Sequence, residues 1–581
     1  MSGAILPRMP RPSRLALLHA AVAALAAIAL LRATQEAWLA EVIADADARV
    51  VFQLALPLAS AAASVLSVAL GLRGAGLARR AAITDLAGIA AAFGALALLA
   101  VGPETREIVG LLFVAVLVAR LLPSALLVVH GVERSVVVVF AVSLLFYAPL
   151  AVWSGATTAA QGDQPHYLLA ADALAHGSFD LGPEYADPSR FEALALTPLG
   201  RGDVDTHVVA AERGGRLIQG YALSALIAPG WAIAGRAGAL LLMAVIGAFL
   251  SVQLLLFCVE TAGDRLASRV AWALAAFLAP LSTLATILYP NIVGALALLL
   301  AYRWLFSAPT RRPLLAGAAG AVLLLLTPRD AIGLAVLVPF AFTAGRGIAF
   351  RFGGVLVAAV VAISLLDAAL YGVAAPYAGY ISSLDASQRL DGAPTIRLRP
   401  DIGLGGMLFD RAFGLAGSAP WVFLGLAGIG PALRRRAALM PALAAIAASL
   451  AALSIYRLWE GGWSPPNRYF VEVLPLWAPF IALGLRRAGP LLAAVAAALA
   501  GLGALVSALF LAIPNLQFNL VDTAHVITAL DRILILDPLG LLPSFEDPAA
   551  IGPALLRSVP LAAAGAALVV AGFRRAREDV S

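Results

Sequence analysis

A short polar turn with the sequence GDQPHY occupies residues 162–167, about ten residues after an apolar run that ends at Trp153. The aspartate in this turn, Asp163, can serve as a general base at the boundary between water and lipid. A structural role is the alternative, because an Asp before a proline-containing helix start is a common N-cap. The residue types alone favour the cap, and both interpretations stay open at this point.

Four arginines near the ends of apolar runs could bind an anion. A guanidinium presents a planar fork of donors that matches phosphate, and a cation near a membrane is costly enough to indicate a function. The alternative is that these side chains extend to the interface or form salt bridges with the acids at 330, 410 and 460. Arg468 is the strongest candidate, and the others are Arg329, Arg411 and Arg457.

The composition places these residues in a membrane protein. Of the 581 residues, 62% are hydrophobic and 13% are charged, whereas soluble domains are about a quarter charged. Apolar runs long enough to cross about 30 Å of hydrocarbon recur along the chain without an alternating barrel pattern, so the spans are helices. The net charge of +6 does not indicate nucleic acid, because the arginines lie in short loops between apolar runs. The His residues form no metal pattern and no cofactor fingerprint occurs, so neither group is expected.

The apolar runs predict an all-α polytopic membrane protein with a bundle of about sixteen transmembrane helices. The spans lie near residues 15–32, 50–71, 83–101, 109–129, 135–153, 237–258, 269–288, 291–307, 313–327, 330–345, 352–371, 419–432, 437–456, 470–485, 489–513 and 555–573. Cytoplasmic loops carry an excess of basic residues. Alternate loops of this chain are rich in arginine, which predicts an even number of spans and two cytoplasmic termini.

The other loops then face outward, which in the inner membrane of a bacterium is the periplasm. Four such loops matter, three long and one short but rich in polar and aromatic residues: 154–236, 372–418, 514–554 and 457–469. Long loops tend to carry function. They are expected to hold short juxtamembrane helices, of which the apolar stretch 221–234 is one. The chain thus divides into a four-span module, a core that holds the chemistry and a set of C-terminal spans: 1–134, 135–485 and 486–581.

This topology predicts which engineered cysteines a membrane-impermeant thiol reagent reaches in intact cells. A cysteine that replaces Ser178 or Ser544, both in outer loops, is expected to react. One that replaces Ser581 at the C terminus is not. The single native cysteine, Cys258, lies in an apolar run and gives little background. Labelling of the C-terminal position alone would contradict the predicted orientation.

Three later segments accompany the GDQPHY turn in order along the chain. They are GRLIQGY at 215–221, FDRAFGL at 409–415, and WEGGWS followed by NRY at 459–469. In this combination the chain resembles, over roughly 135–485, the GT-C glycosyltransferases, which include the dolichyl-phosphate-mannose–protein mannosyltransferases and the lipid A aminoarabinose transferase. An Asp-Glu pair often follows the first core span of that family. Here the pair is Asp163-Gln164, so a role that needs two carboxylates or a metal does not carry over.

The resemblance implies an inverting enzyme that transfers a sugar from a polyprenyl-phosphate carrier to a hydroxyl of a lipid, glycan or protein acceptor at the periplasmic face. Asp163 would be the base, and Arg468, with Arg411 and Arg457, would hold the phosphate. No cofactor and no nucleic acid is implied, and membrane lipid is a further partner. The remaining residues expected at the substrate lie in the matched segments: His166, Tyr167, Tyr221 and Trp459.

Two other functions stay open. A transporter or flippase of lipid-linked sugars would show ionisable residues in mid-span and broken helices in related halves. A glycan polymerase or ligase would need several outer arginines and no essential aspartate. The sequence shows few mid-span ionisable residues and no clear inverted repeat, which favours the transferase.

Overall fold

A computed structural model of the protein describes most of the chain from residue 136 onward. The described residues are 136–187, 207–211, 214–383, 396, 398–435, 437–486, 488–519, 524–528, 541–545 and 551–578. The predicted N-terminal module, 1–134, with its four spans lies outside them.

The chain separates into two compact units. The first comprises residues 1–157 with 511–513, and its described part is helix α1, Val136–Thr157, together with that short segment. Within it, the indole N–H of Trp153 donates to the carbonyl of Ala512 at 3.1 Å. The second unit comprises residues 158–510 and 514–581 and holds the candidate active site described below.

Helices make up most of the second unit. In chain order they are α2 (Gln164–Ala175), α3 (Gly182–Ala186), α4 (Ala222–Ala262), α5 (Arg265–Phe277), α6 (Leu281–Leu284), α7 (Asn291–Tyr302), α8 (Pro313–Leu326), α9 (Asp330–Ala344), α10 (Arg346–Tyr371), α11 (Pro400–Phe409), α12 (Leu415–Ser418), α13 (Leu426–Arg435), α14 (Met440–Ser454), α15 (Leu474–Leu485), α16 (Pro490–Ala512) and α17 (Ile551–Glu578). A π-helical turn, Arg303–Ser307, continues α7, and short 3-10 turns lie at Pro420–Gly425, Ala437–Leu439, Arg468–Phe470 and Pro514–Gln517. Among the described residues, an antiparallel hairpin pairs β1 (Val208–Ala211) with β2 (Gly214–Leu217).

Five of the described helices are long and apolar enough to cross a membrane: α1, α4, α10, α16 and the part of α17 that runs Ile551–Arg574. The other apolar helices are shorter than the roughly 20 residues that a perpendicular span requires. The structure therefore confirms a mostly helical, apolar membrane protein and does not confirm sixteen spans. The span predicted at 269–288 is interrupted, because α5 ends at Phe277 and Leu278 is extended before Pro280.

Helix ends follow local chemistry. The carboxylate of Asp264 accepts the backbone N–H of Ala267 at 2.9 Å and so caps the start of α5. Gly263 and Gly372 end α4 and α10 in left-handed conformation, with φ of 70° and 75°, which costs a glycine little.

Helix α4 is interrupted near its start. Gly235 has φ 55° and ψ −142°, and Ala234 is also non-helical, so the segment before them is a separate short helix. It corresponds to the apolar stretch 221–234. Two hydrogen bonds tie this bend to the segment that begins at residue 158. The indole of Trp231 donates to the carboxylate of Asp172 at 2.9 Å, and Arg236 donates to the carbonyl of Thr158 at 2.8 Å. The bend therefore fixes α2 and the turn before it.

Candidate active site

The carboxylate of Asp163 forms an ion pair with Arg468, which lies 305 residues further along the chain. Arg468 Nη1 donates to Asp163 Oδ2 at 2.8 Å, and both side chains are largely buried. Asp163 does stand at the start of α2, but its side chain makes no capping hydrogen bond. The cap interpretation is therefore wrong, because the carboxylate faces an arginine and not the helix N–H groups.

The turn before Asp163 requires glycine. Gly162 has φ 59°, and a Cβ there would collide with the hydroxyl of Tyr289 and the carbonyl of Trp463. The turn thus packs directly against the two segments that complete the site.

Arg468 is held by the loop that precedes it. Its Nη2 donates to the carbonyl of Gly461 at 2.7 Å and to the hydroxyl of Tyr469 at 3.1 Å. Asn467, in left-handed conformation with φ 58°, donates from Nδ2 to Ser418 Oγ at 2.5 Å and fixes the backbone just before the arginine. The hydrogen bonds of the loop 459–469 therefore orient the guanidinium of Arg468 toward Asp163.

The pair is charged in the free protein. Burial of Asp163 opposes its ionisation, but the nearby guanidinium of Arg468, with smaller contributions from His207 and His166, outweighs burial and holds the pKa of the carboxyl below its usual range. Burial also opposes the charge on Arg468, yet Tyr469 and Asp163 raise its pKa. Asp163 is thus ionised, and its basicity depends on how strongly Arg468 holds it.

Tyrosines line the space around this pair. The guanidinium of Arg468 lies 4.9 Å from the ring centre of Tyr469 and 5.3 Å from that of Tyr289. Tyr167 and Tyr380 are close enough for the charge of Asp163 to affect them. Burial, reinforced by that charge, raises the pKa of Tyr289, so its hydroxyl stays neutral at physiological pH. The site thus combines aromatic faces with hydroxyl groups beside one carboxylate and one guanidinium.

Two stacked histidines border the carboxylate. The rings of His166 and His207 lie 3.7 Å apart at 14°, and His207 Nδ1 is 3.7 Å from Asp163 Oδ1. His166 Nδ1 hydrogen-bonds the hydroxyl of Tyr185 at 2.5 Å, and Gln219 hydrogen-bonds His207. Within the part of the chain that the structure describes, no group of three His, Cys, Asp or Glu side chains is placed to hold a metal ion.

Four predicted substrate-binding residues lie away from the pair. Tyr221 is structural, since its hydroxyl donates to the carbonyl of Phe179 at 2.5 Å and accepts from the N–H of Leu217. Trp459 is buried against Gly406 and the edge of Phe413, so its ring face is not available to a sugar.

The other two of these residues are arginines. Arg457 is exposed and acts electrostatically on Glu460, and Arg411 does the same on Asp410. Among the described residues neither forms a contact with Asp163 or Arg468. The structure thus brings Asp163, His166, Tyr167 and Arg468 together and leaves Tyr221, Trp459, Arg411 and Arg457 outside.

A second polar cluster adjoins the pocket. The guanidinium of Arg329 lies 3.9 Å over the ring of Tyr469, the same ring that Arg468 contacts. Next to Arg329, the side chains of Asp330 and Glu472 both pack against Gly294. Asn291 Nδ2 donates to Glu472 Oε1 at 2.6 Å. Arg329, which is half-buried and has these two buried acids beside it, is therefore separated from Arg468 by one aromatic ring.

An apolar cavity of about 520 Å³ lies in the same unit. Its walls are almost entirely hydrocarbon, and Asp401 is one of the few polar residues that line it. Phe470 belongs to its wall and stands two residues after Arg468 in the same 3-10 turn. The principal apolar wall residues are Leu404, Phe409, Phe423, Leu450, Phe470 and Leu561.

Sequence reasoning missed His207, Tyr289 and Tyr380, because each stands alone in a segment without a recognisable motif. Their predicted position was the available signal: all three fall in stretches that the arginine pattern puts on the outer side. Comparison of the chain with models of known protein families, with curated proteins and with solved structures finds no match.

Proposed function

We propose that this protein is a membrane-embedded glycosyltransferase of the GT-C type. It transfers a sugar from a polyprenyl-phosphate carrier to an acceptor hydroxyl, with inversion, at the periplasmic face of a bacterial inner membrane. The observation that carries the proposal is the ion pair of Asp163 and Arg468 among several tyrosine side chains. A carboxylate to accept a proton and a guanidinium to hold a phosphate are the two groups that this reaction needs.

In the proposed reaction Asp163 removes the proton of the acceptor hydroxyl. The acceptor oxygen attacks the anomeric carbon from the face opposite the carrier, and a new glycosidic bond forms. The bond between that carbon and the phosphate oxygen breaks, and its electron pair leaves with the phosphate. A phosphate needs no general acid to leave, because Arg468 stabilises its developing charge.

The ion pair also couples donor binding to basicity. In the free protein Arg468 holds the pKa of Asp163 low, which makes the carboxylate a weak base. A phosphate that takes a share of the guanidinium weakens this hold. The pKa of Asp163 then rises, because burial opposes its charge. The carboxylate thus becomes a better base when the donor is in place.

The surroundings suit the two ends of such a donor. Aromatic faces pack well against the apolar faces of a sugar ring, and the hydroxyls of Tyr289 and Tyr380 are neutral partners for its polar groups. The apolar cavity can take part of a prenyl chain, and one of its wall residues, Phe470, stands two residues after Arg468. This arrangement favours a donor with a lipid tail.

One observation favours a different class. The buried acids Asp330 and Glu472 resemble the intramembrane ionisable residues of transporters. A flippase of lipid-linked sugars would move its substrate without cleaving it, so bond cleavage separates the two functions.

The decisive experiment incubates the purified protein in detergent with a panel of polyprenyl-phosphate hexoses and pentoses and measures released polyprenyl phosphate and transferred or free sugar. We expect one donor to be cleaved at a rate that depends on Asp163, with the anomeric configuration inverted in the product. Water serves as a slow acceptor where the natural one is absent. Absence of cleavage for the whole panel, together with movement of the same lipids across proteoliposomes, would establish the flippase instead.

A further inference from the structure

The hydrogen-bond donors of Arg329 have no acceptor among the described residues. An arginine side chain carries five N–H donors, yet that of Arg329 donates no hydrogen bond to any described residue, and its Nε is completely covered. Its contact with a ring face, Tyr469 at 3.9 Å, leaves the donors at the rim of the guanidinium unused. Buried donors without acceptors are rare in folded proteins, and an anionic ligand is one remedy.

The neighbouring acids do not fill this role. Asp330 and Glu472 act on Arg329 electrostatically, but no described carboxylate oxygen lies within salt-bridge distance of its guanidinium. They compensate its charge from a distance and accept none of its hydrogen bonds. The start of α9, a helix of 15 residues that begins at Asp330, adds the partial positive charge of a helix N-terminus to the same place.

We propose that Arg329 is a second phosphate-binding arginine of the site and that Arg329 and Arg468, on the shared ring of Tyr469, together grip the phosphate at the head of a lipid carrier. The inference rests on the proposed function for the identity of that carrier. Arg468 contacts the oxygen next to the reacting carbon, where Asp163 also lies, and Arg329 contacts a non-bridging oxygen. Phe470, the residue after Tyr469, is one wall residue of the apolar cavity, which offers space for part of the hydrocarbon tail.

The test measures binding of farnesyl phosphate, a short prenyl phosphate, to purified wild type and to the variants R329A, R329K and R457A. Loss of a charged hydrogen bond is expected to raise Kd about 10- to 100-fold in R329A. The lysine of R329K keeps the charge but not the fork, so a smaller rise is expected. R457A removes an exposed outer arginine that contacts neither member of the pair, and its Kd should equal that of wild type.

Further ligands identify the group that Arg329 recognises. Farnesol lacks the phosphate, and its weaker binding should be the same in wild type and R329A. Inorganic phosphate should bind more weakly than farnesyl phosphate, and phosphatidylglycerol should not compete. Equal affinity for inorganic and farnesyl phosphate would overturn a lipid-borne ligand. R329K controls for a folding defect. If Arg329 acted only as a counter-ion of the buried acids, the lysine would replace it.

Unchanged farnesyl phosphate affinity in both Arg329 variants would overturn the inference. If D163N nevertheless abolished sugar transfer, the proposed function would stand without a second arginine. Conversely, weaker binding in R329A beside full transfer by D163N would keep the phosphate site and remove Asp163 as the base. The two failures are therefore distinguishable.

Discussion

The variant D163N is expected to turn over its donor roughly 10²–10⁴ times more slowly than wild type, the loss typical of a missing general base. Asparagine keeps the size of the side chain and an oxygen that Arg468 can still contact, so the pocket should keep its geometry. The asparagine side chain cannot take up the proton of the acceptor hydroxyl. The measurement is sugar transfer by purified protein at saturating donor, beside melting curves that should differ little.

A neighbouring aspartate provides the matched control. Asp172 lies on α2, the same helix that Asp163 precedes, and accepts a hydrogen bond from Trp231 that an asparagine oxygen can also accept. The variant D172N should therefore transfer sugar at the wild-type rate. Full activity of D163N would leave the carboxylate a structural partner of Arg468 and remove the strongest support for the transferase.

Truncation of Arg468 is expected to lower kcat/KM by roughly 10²–10³, within the range for removal of one partner of a buried charge pair. The variant R468A loses the proposed contact with the phosphate and also leaves Asp163 without its cation. R468K keeps a charge but not the fork that reaches Asp163, Gly461 and Tyr469 together, so an intermediate loss is expected. R457A should match wild type in the same assay.

The pH dependence of R468A separates its electrostatic role from simple loss of binding. In wild type, Arg468 holds the pKa of Asp163 below the usual range, so kcat/KM should not fall through protonation of this carboxylate until the pH is below that range. Without the guanidinium, burial dominates and raises the pKa. The acid limb of R468A should therefore move to higher pH. An unmoved limb would show that the group that titrates there is not Asp163.

The sequence alone predicted a helical membrane protein and selected Asp163 and Arg468 as the leading candidates for the site. Hydropathy is a property of each segment by itself, so apolar runs predict a helical membrane protein without knowledge of their neighbours. The chemistry of a carboxylate and a guanidinium is also local, so residue type marked Asp163 and Arg468 as candidates, and the resemblance to the GT-C family supplied their expected roles. The same reasoning chose Trp459 and Tyr221, whose burial and hydrogen bonds it had no means to see.

Only the tertiary structure decided what each candidate contacts. Asp163 fits the local pattern of a helix cap, but packing of a loop 305 residues away supplies a cation that takes its carboxylate instead. His207 and Tyr289 join it because their segments meet at the same pocket, which no local periodicity encodes. The structure also showed where apolar runs do not form continuous helices, since interruptions such as the one before Pro280 depend on backbone geometry that hydropathy does not measure.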